Sequence, residues 1–443
     1  MKKSLFIISI KMAVCVLFLQ SLCRADTDNG YASPATAVTG QDLPPQASIS
    51  EQDAVPEVSN FPASEIEPFY GSHQGGILTP MQTYTCFAVF DLTAKNRKEV
   101  IALFKSWTQS VARMTSGQPA QDLGQDAQQP PGDSGDVLDI SPGRLTITFG
   151  FGPGLFIKDG KDRYGLAGRR PAALADLPRF PGEQLIESHT GGDVSIQACS
   201  DDAEVALHAV RQLTRLADGL ATLRWEQNGF VPKTPAGQTP RNLMGFKDGT
   251  MNPKTDDPVA MDKFVWVGKE GPDWMRGGSY MVVRPIRIAL EHWDRMKKSF
   301  QEQTVGRKKY SGAPLTGQNE NDKLDLAAND KDGNPVIPEN SHARLGAPEE
   351  NNGAQMLRRA YSYDNNLVFT AERWPPWRQG MEMDAGLLFQ CYQKDPRKAF
   401  VPMFNKMSRF DMMNQFLTHV GSGIFACPPG AQPGKYIGQE LFE

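Results

Sequence analysis

The residues that could do chemistry in this chain are few. The stretch "RNLMGFKDGTMNP", Arg241 to Pro253, sets one acid, Asp248, between Gly245 and Gly249. Asp-Gly is a strong tight-turn signal, because both residues tolerate positive φ. A carboxylate held on such a turn can also be aimed at a proton transfer. The histidines are His73, His189, His208, His292, His342 and His419. None forms H-E-x-x-H or another close metal pair, which disfavours a zinc protease. His208 falls within a helical pattern and reads as a packed structural residue. His73 and His189 each follow a serine in a Gly-rich loop, where hydrogen bonding is the expected role. "GPGLFIKDGK" has the wrong glycine spacing for a phosphate loop and no Ser or Thr after Lys161. "GFGPG" lacks the last glycine of a dinucleotide fingerprint, and there is no G-x-S-x-G. Asp248, His342 and the arginines of "MLRRAYSY" remain.

These groups need a scaffold. The chain has 443 residues, long for one core, and two packed subdomains are expected. It is 40% hydrophobic and 22% charged, and no interior stretch is apolar enough to cross a bilayer. Residues 1–25 carry Lys2, Lys3, Lys11 and Arg24, an apolar run from Met12 to Leu19 and a small-residue cleavage site at Ala25. They read as a removed secretory signal, so a periplasmic or extracellular protein is expected. Removing their four cations takes the formal net charge from −4 to −8. That balance excludes sequence-independent nucleic-acid binding. Outside the leader, Cys86, Cys199, Cys391 and Cys427 are far apart in strand-like surroundings and read as buried thiols. With no C-x-x-C-H, no covalent c-type haem is expected.

Residues 26–65 are a polar, Pro-rich lead-in. Two further polar stretches, Thr115–Val137 and Gly317–Asn340, read as long surface loops. Between them, "TYTCFAVFDL" reads as a strand and Arg97–Met114 as a helix with Val100, Leu103, Phe104, Trp107 and Val111 on one face. "RLTITFGFG" and "DVSIQACSD" follow as strands, Asp202–Leu220 as a helix, and "ATLRWEQNGF" as a strand. Strand, helix, strand, strand, helix, strand is the order of a ferredoxin-like unit. Gly386–Met407 parallels Asp193–Leu213, and Ser279–Leu290 would open a second unit as Thr83–Leu92 opens the first. The expected fold class is α+β: tandem ferredoxin-like units, residues 66–232 and 233–443, with antiparallel sheets, flanking helices and a cavity.

Read together, "GFKDGT" (Gly245–Thr250), "SHARLGAP" (Ser341–Pro348) and "MLRRAYSY" (Met356–Tyr363) resemble the dye-decolourising peroxidase family, in its secreted deferrochelatase-like branch. "FYGSHQGGILTP", "LTITFGFGPGLF", "LPRFPGEQL", "GLLFQCYQKDP" and "FLTHVGSGIFACPPG" extend the resemblance from about Phe69 to the C-terminus. It implies two ferredoxin-like units holding one non-covalent haem b, and peroxide-driven oxidation of dyes, phenols or other one-electron donors. It also implies an alternative, release of iron from haem or carriage of haem, with partners in iron uptake. A homodimer is expected.

Carried over by motif position, His342 is the proximal iron ligand, Asp248 the distal acid and Arg358 the distal arginine. Neighbours on a strand point to opposite faces, so only one of Arg358 and Arg359 can face the iron. Asp411 in "RFDMMNQF" is the expected acceptor for the second nitrogen of His342. Leu387 and Phe389 would wall the distal pocket, and Arg344 would pair with a haem propionate. Bulky donors would be oxidised at the surface through Trp374 and Trp377. Two features depart from the family: no twin arginine precedes the apolar leader, and Ala360 stands where the family often has Gly.

Overall fold

In the computed structural model of the chain, residues 61–235, 238–371 and 379–443 are described. The leader, most of the lead-in, Trp374 and Trp377 lie outside them.

The first unit takes the expected order. Strand β1 (Tyr84–Leu92) leads into helix α1 (Arg97–Thr115), then β2 (Thr146–Phe151), β3 (Val194–Ser200), helix α2 (Ala203–Leu216) and β4 (Ala221–Phe230). Asn96 caps α1 by accepting from Glu99 N, and Asp202 caps α2 by accepting from Glu204 N and Val205 N. Each cap satisfies helix-terminal N–H groups and stabilises by about 1 kcal/mol. Helix α2 ends at Leu216, short of the expected Leu220, because the chain turns through Gly219 at φ +73° into β4. The strands pair antiparallel in the order β4-β1-β3-β2.

The second unit repeats that order with its own strands. β5 is Ser279–Ile288. A four-residue helix, α3 (His342–Leu345), follows, then the two-residue β6 (Leu357–Arg358) and the long strands β7 (Tyr361–Ala371) and β8 (Gln379–Gln393). Helix α4 (Phe400–Phe410), β9 (Leu417–His419) and β10 (Gly423–Cys427) complete it. The order is β10-β5-β8-β7, the counterpart of β4-β1-β3-β2. The units join edge to edge through Phe230↔Ser362 and Ala426↔Phe151, which closes the sheet on itself.

Alternation along β1 shows the consequence. Phe87 and Val89 pack with Met281, Val283 and Phe425 of the second unit, inside the closed sheet. Cys86, Ala88 and Phe90 face outward against Val100, Leu103, Phe104 and Trp107 of α1, all fully buried. Burial of large side chains at roughly 1.5–3 kcal/mol each holds both layers. The four described cysteines are free and buried, as their apolar surroundings imply. No helix among the described residues is long and apolar enough to cross a membrane.

Candidate active site

A cavity lies between α4 and the outer face of the second unit's sheet. Its sheet wall carries Ile286 and Ile288 of β5 and Leu387 and Phe389 of β8, as expected for the latter two. Its helical wall carries Met403, Phe404 and Met407 of α4. His342 opens α3, next to α4, and its ring lines the same cavity.

His342 Nδ1 donates to Asp411 Oδ2 at 2.7 Å. Asp411 is the residue that ends α4; its other oxygen accepts from Met413 N at 2.8 Å, and it is buried. Met412 N donates to Asn340 O, which ties the Asp411 segment to the one carrying His342. Burial alone would push the His342 pKa down; the Asp411 carboxylate outweighs it, and the value is raised. The side chain keeps 35% of its exposure, but that surface faces the cavity, so protein still surrounds the ring. With Nδ1 committed to Asp411, Nε2 is the nitrogen left to donate to a metal, and the carboxylate makes it more basic.

Asp248 and Arg358 line the cavity too. The Asp-Gly turn is real: Asp248 N donates to Pro240 O, and Gly249 takes φ +117°, which disfavours any side chain there. Asp248 Oδ1 lies 3.4 Å from Arg358 Nη1, and Asn242 Nδ2 lies 3.4 Å from Asp248 Oδ2. Arg358 reaches the cavity from the edge of the sheet, where β6 pairs with β8 at Cys391. Arg359 faces the other way. It is buried, it donates to Thr79 O and Gln82 Oε1, and it does not line the cavity. Strand alternation thus separates the two arginines.

The structure departs from expectation at Arg344. It does not line the cavity: Nη1 donates to Leu326 O and Ile337 O, and Nε lies 3.4 Å from Glu350. Helical geometry explains this, because a residue two positions past His342 points to a different face of α3. Another arginine faces the cavity instead. Arg307 lines the cavity and is 5% exposed, with Nη1 donating to Gly312 O and Glu320 O. Its Nη2 is buried with no hydrogen-bond partner. Burial pushes the Arg307 pKa down, Glu320 offsets part of this, and Arg358 adds to it. Two guanidinium groups beside one cavity favour an anionic group there, and an orphaned buried donor costs about 1–3 kcal/mol unless a ligand satisfies it. An apolar slot, an imidazole with one nitrogen free and an arginine with one unpaired nitrogen together fit a flat apolar metal complex bearing carboxylates.

His419 was also missed as a site residue. It lines the cavity from β9, and its Nδ1 accepts from Arg284 Nε at 3.3 Å. Burial and then that guanidinium push its pKa well below the usual value, so it is neutral with its proton on Nε2. The signal for His419 was present in "FLTHVGSGIFACPPG". Arg307, in the run "GRKKY", had none, since its role comes from contacts distant in the chain.

Comparison with known proteins agrees with this geometry. Residues 74–231 match the family model for Dyp-type peroxidase, N-terminal, and residues 239–432 that for Dyp-type peroxidase, C-terminal. A protein named deferrochelatase from Escherichia coli (strain K12) is 36% identical over 401 residues, 88% of this chain and 90% of its own. A deferrochelatase from Yersinia pseudotuberculosis is 37% identical, covering 85% of both chains. A DyP-type peroxidase structure from Streptomyces coelicolor superposes with TM-score 0.76 at 41% identity, over 86% of this chain and 100% of that one. The oxyferrous/water mixed complex of DtpA from Streptomyces lividans gives TM-score 0.77 at 39% identity, with the same coverage. The two matches, which between them span both halves of the chain, place it in the Dyp-type peroxidase family, and it is a peroxidase.

Proposed function

We propose that the chain binds one non-covalent haem b in this cavity and uses hydrogen peroxide to oxidise dyes, phenols or other one-electron donors. The observation that supports this most is the placing of two sets of groups around one apolar slot. His342 with Asp411 comes from the helical wall, and Asp248 of the Asp-Gly turn with Arg358 of the sheet edge from the other side. When bound, the haem supplies the iron centre at which peroxide is cleaved and to which donors return electrons.

The protein's own groups do the rest. His342 Nε2 would be the nitrogen that holds the iron, and Asp411 holds the imidazole in orientation and keeps it electron-rich. Asp248 takes a proton from one peroxide oxygen and returns it to the other, directly or through water. Arg358 cannot lose its proton, so it is a fixed positive charge beside the oxygen that becomes anionic. Arg307 Nη2 would meet a haem carboxylate, and Leu387 and Phe389 would limit what else fits beside Asp248. The test is the absorption spectrum of the hemin-reconstituted chain and of His342→Ala. A Soret band in the first that shifts or is lost in the second supports the reading; identical spectra would remove His342 from it.

The relatives named deferrochelatase favour a second reading, release of iron from haem, which would make iron-uptake proteins the partners. Incubating the protein with haem and assaying free porphyrin against peroxide turnover separates the two. The leader supports export to the periplasm or beyond, and a homodimer is part of the same proposal. N-terminal sequencing of the mature protein and its size in solution test these.

A further inference from the structure

Arg358 sits in an unusual place for a group that must be held still. β6 is two residues long and pairs with β8 on one side only, at Tyr392 and Cys391. On the other side β4 pairs with β7 at Phe230↔Ser362 and ends there, so among the described residues no strand runs beside Arg358 on that side. Peptide groups alternate sides along a strand. Arg359 N donates to Gln390 O of β8, so the N–H and C=O of Arg358 point to the uncovered side.

Asn252 fills that gap. Its Nδ2 donates to Arg358 O at 2.7 Å, and its Oδ1 accepts from Arg358 N at 3.1 Å. One side-chain amide thus makes the pair of bonds that a neighbouring strand residue would make. The backbone partners leave no ambiguity in the amide's orientation, since an N–H needs the oxygen and a carbonyl needs the NH₂. The same Oδ1 also accepts from Arg358 Nε at 3.3 Å. Asn252 therefore fixes the strand and the base of the guanidinium together. It does not line the main cavity; it lines a second, adjoining one that shares Asn242, Asp248, Gly249, Arg358 and Leu387.

The alternative anchor for Arg358 is Asp248, and it is the weaker. Their contact is 3.4 Å, longer than a charge-assisted hydrogen bond, and both side chains keep more than a fifth of their exposure. Asn252 is also bound into the turn that carries Asp248. Asn252 N donates to Gly249 O at 2.9 Å, and Thr250 and Lys247 both bond Glu320. One loop therefore presents the acid and clamps the arginine.

We propose that Asn252 is a positioning residue that acts through Arg358, setting the guanidinium against Asp248 and the peroxide site. This rests on the haem peroxidase reading of the cavity. The experiment uses hemin-loaded full-length protein, with two readouts: the rate constant for reaction with peroxide and the dissociation constant for cyanide. Cyanide is a small ligand that needs the same acid and the same cation. Asn252→Ala should slow the peroxide reaction and weaken cyanide at least about tenfold, part of the loss expected when a fixed donor is removed outright. Hemin affinity should stay within about threefold, because Asn252 does not touch the main cavity.

Asn252→Asp keeps the oxygen that holds Arg358 N and Nε but loses the donor to Arg358 O, so it should fall between wild type and Asn252→Ala in both readouts. It also serves if the alanine variant fails to fold. The decisive comparison is Arg358→Ala with and without Asn252→Ala: a residue acting only through Arg358 adds nothing to its loss. Additive losses would overturn the proposal, as would wild-type values for Asn252→Ala. A wild type that takes up no hemin would instead overturn the haem reading, and this assignment with it.

Discussion

His342 Nδ1 and Asp411 Oδ2 lie 2.7 Å apart, joining the first residue of one helix to the residue that ends another. The bond decides which nitrogen of His342 faces the cavity. Replacing His342 by Ala should abolish axial ligation, with hemin binding weakened at least about tenfold and the Soret band altered. A titration of hemin into the variant, followed by absorbance, measures this.

Asp411→Asn tests the carboxylate separately. An amide still accepts from Nδ1 but carries no charge, so the imidazole becomes less electron-rich. Hemin should still bind, and the reduction potential of the bound iron should rise. Spectroelectrochemistry decides it; an unchanged potential would reduce Asp411 to a structural hydrogen-bond partner.

Asp248→Asn should leave the hemin titration unchanged and slow the reaction with peroxide by about 10²-fold or more, the usual scale for losing a general acid–base group. Stopped-flow mixing with peroxide provides the rate. If the rate held, Asp248 would be only the polar half of its turn, and the work on that side would fall to Arg358.

Arg307→Met keeps the bulk and removes the charge. If Nη2 meets a haem carboxylate, hemin affinity should fall roughly tenfold to a hundredfold, corresponding to about 1.5–3 kcal/mol for a charged hydrogen bond. Arg344→Met should leave that affinity near wild type, because Arg344 does not line the cavity. The reverse ranking would restore Arg344 to the propionate.

A pH effect on stability is expected far from the cavity. His208 on α2 lies between Asp136, 3.0 Å from Nδ1, and Asp133, 3.4 Å from Nε2, and so ties down the loop after α1. Burial would raise the Asp136 pKa, but bonds from Ser134 and His208 outweigh it and lower the value from 3.8 to about 2. A depressed carboxyl stabilises fully above its unfolded value and loses that contribution as pH falls through the folded one. Asp136→Asn should therefore melt below wild type near pH 6, with the gap closing between about pH 4 and about pH 2. Thermal melts at both ends of the range are the check, and a constant gap would assign the effect to packing.

The sequence by itself determined the strands, the helices and the pseudo-repeat, because periods of two and 3.6 residues are local properties. Residue type and motif also singled out His342, Asp248, Leu387, Phe389 and Asp411, which the structure brings to one cavity. Strand alternation stated that Arg358 and Arg359 must part, but only their packing showed which one lines the cavity. Arg344 does not line the cavity, because nearness to His342 in sequence is not nearness in space once α3 has turned. Arg307, His419 and Asn252 were not singled out from the sequence, although His419 stands in one of the resembling motifs. Each is placed by contacts far away in the chain: Arg307 with an unpaired nitrogen at a cavity wall, His419 against Arg284, and Asn252 at the uncovered edge of a two-residue strand. Tertiary structure alone decides such roles, because a donor's use depends on which acceptors the closed sheet leaves for it.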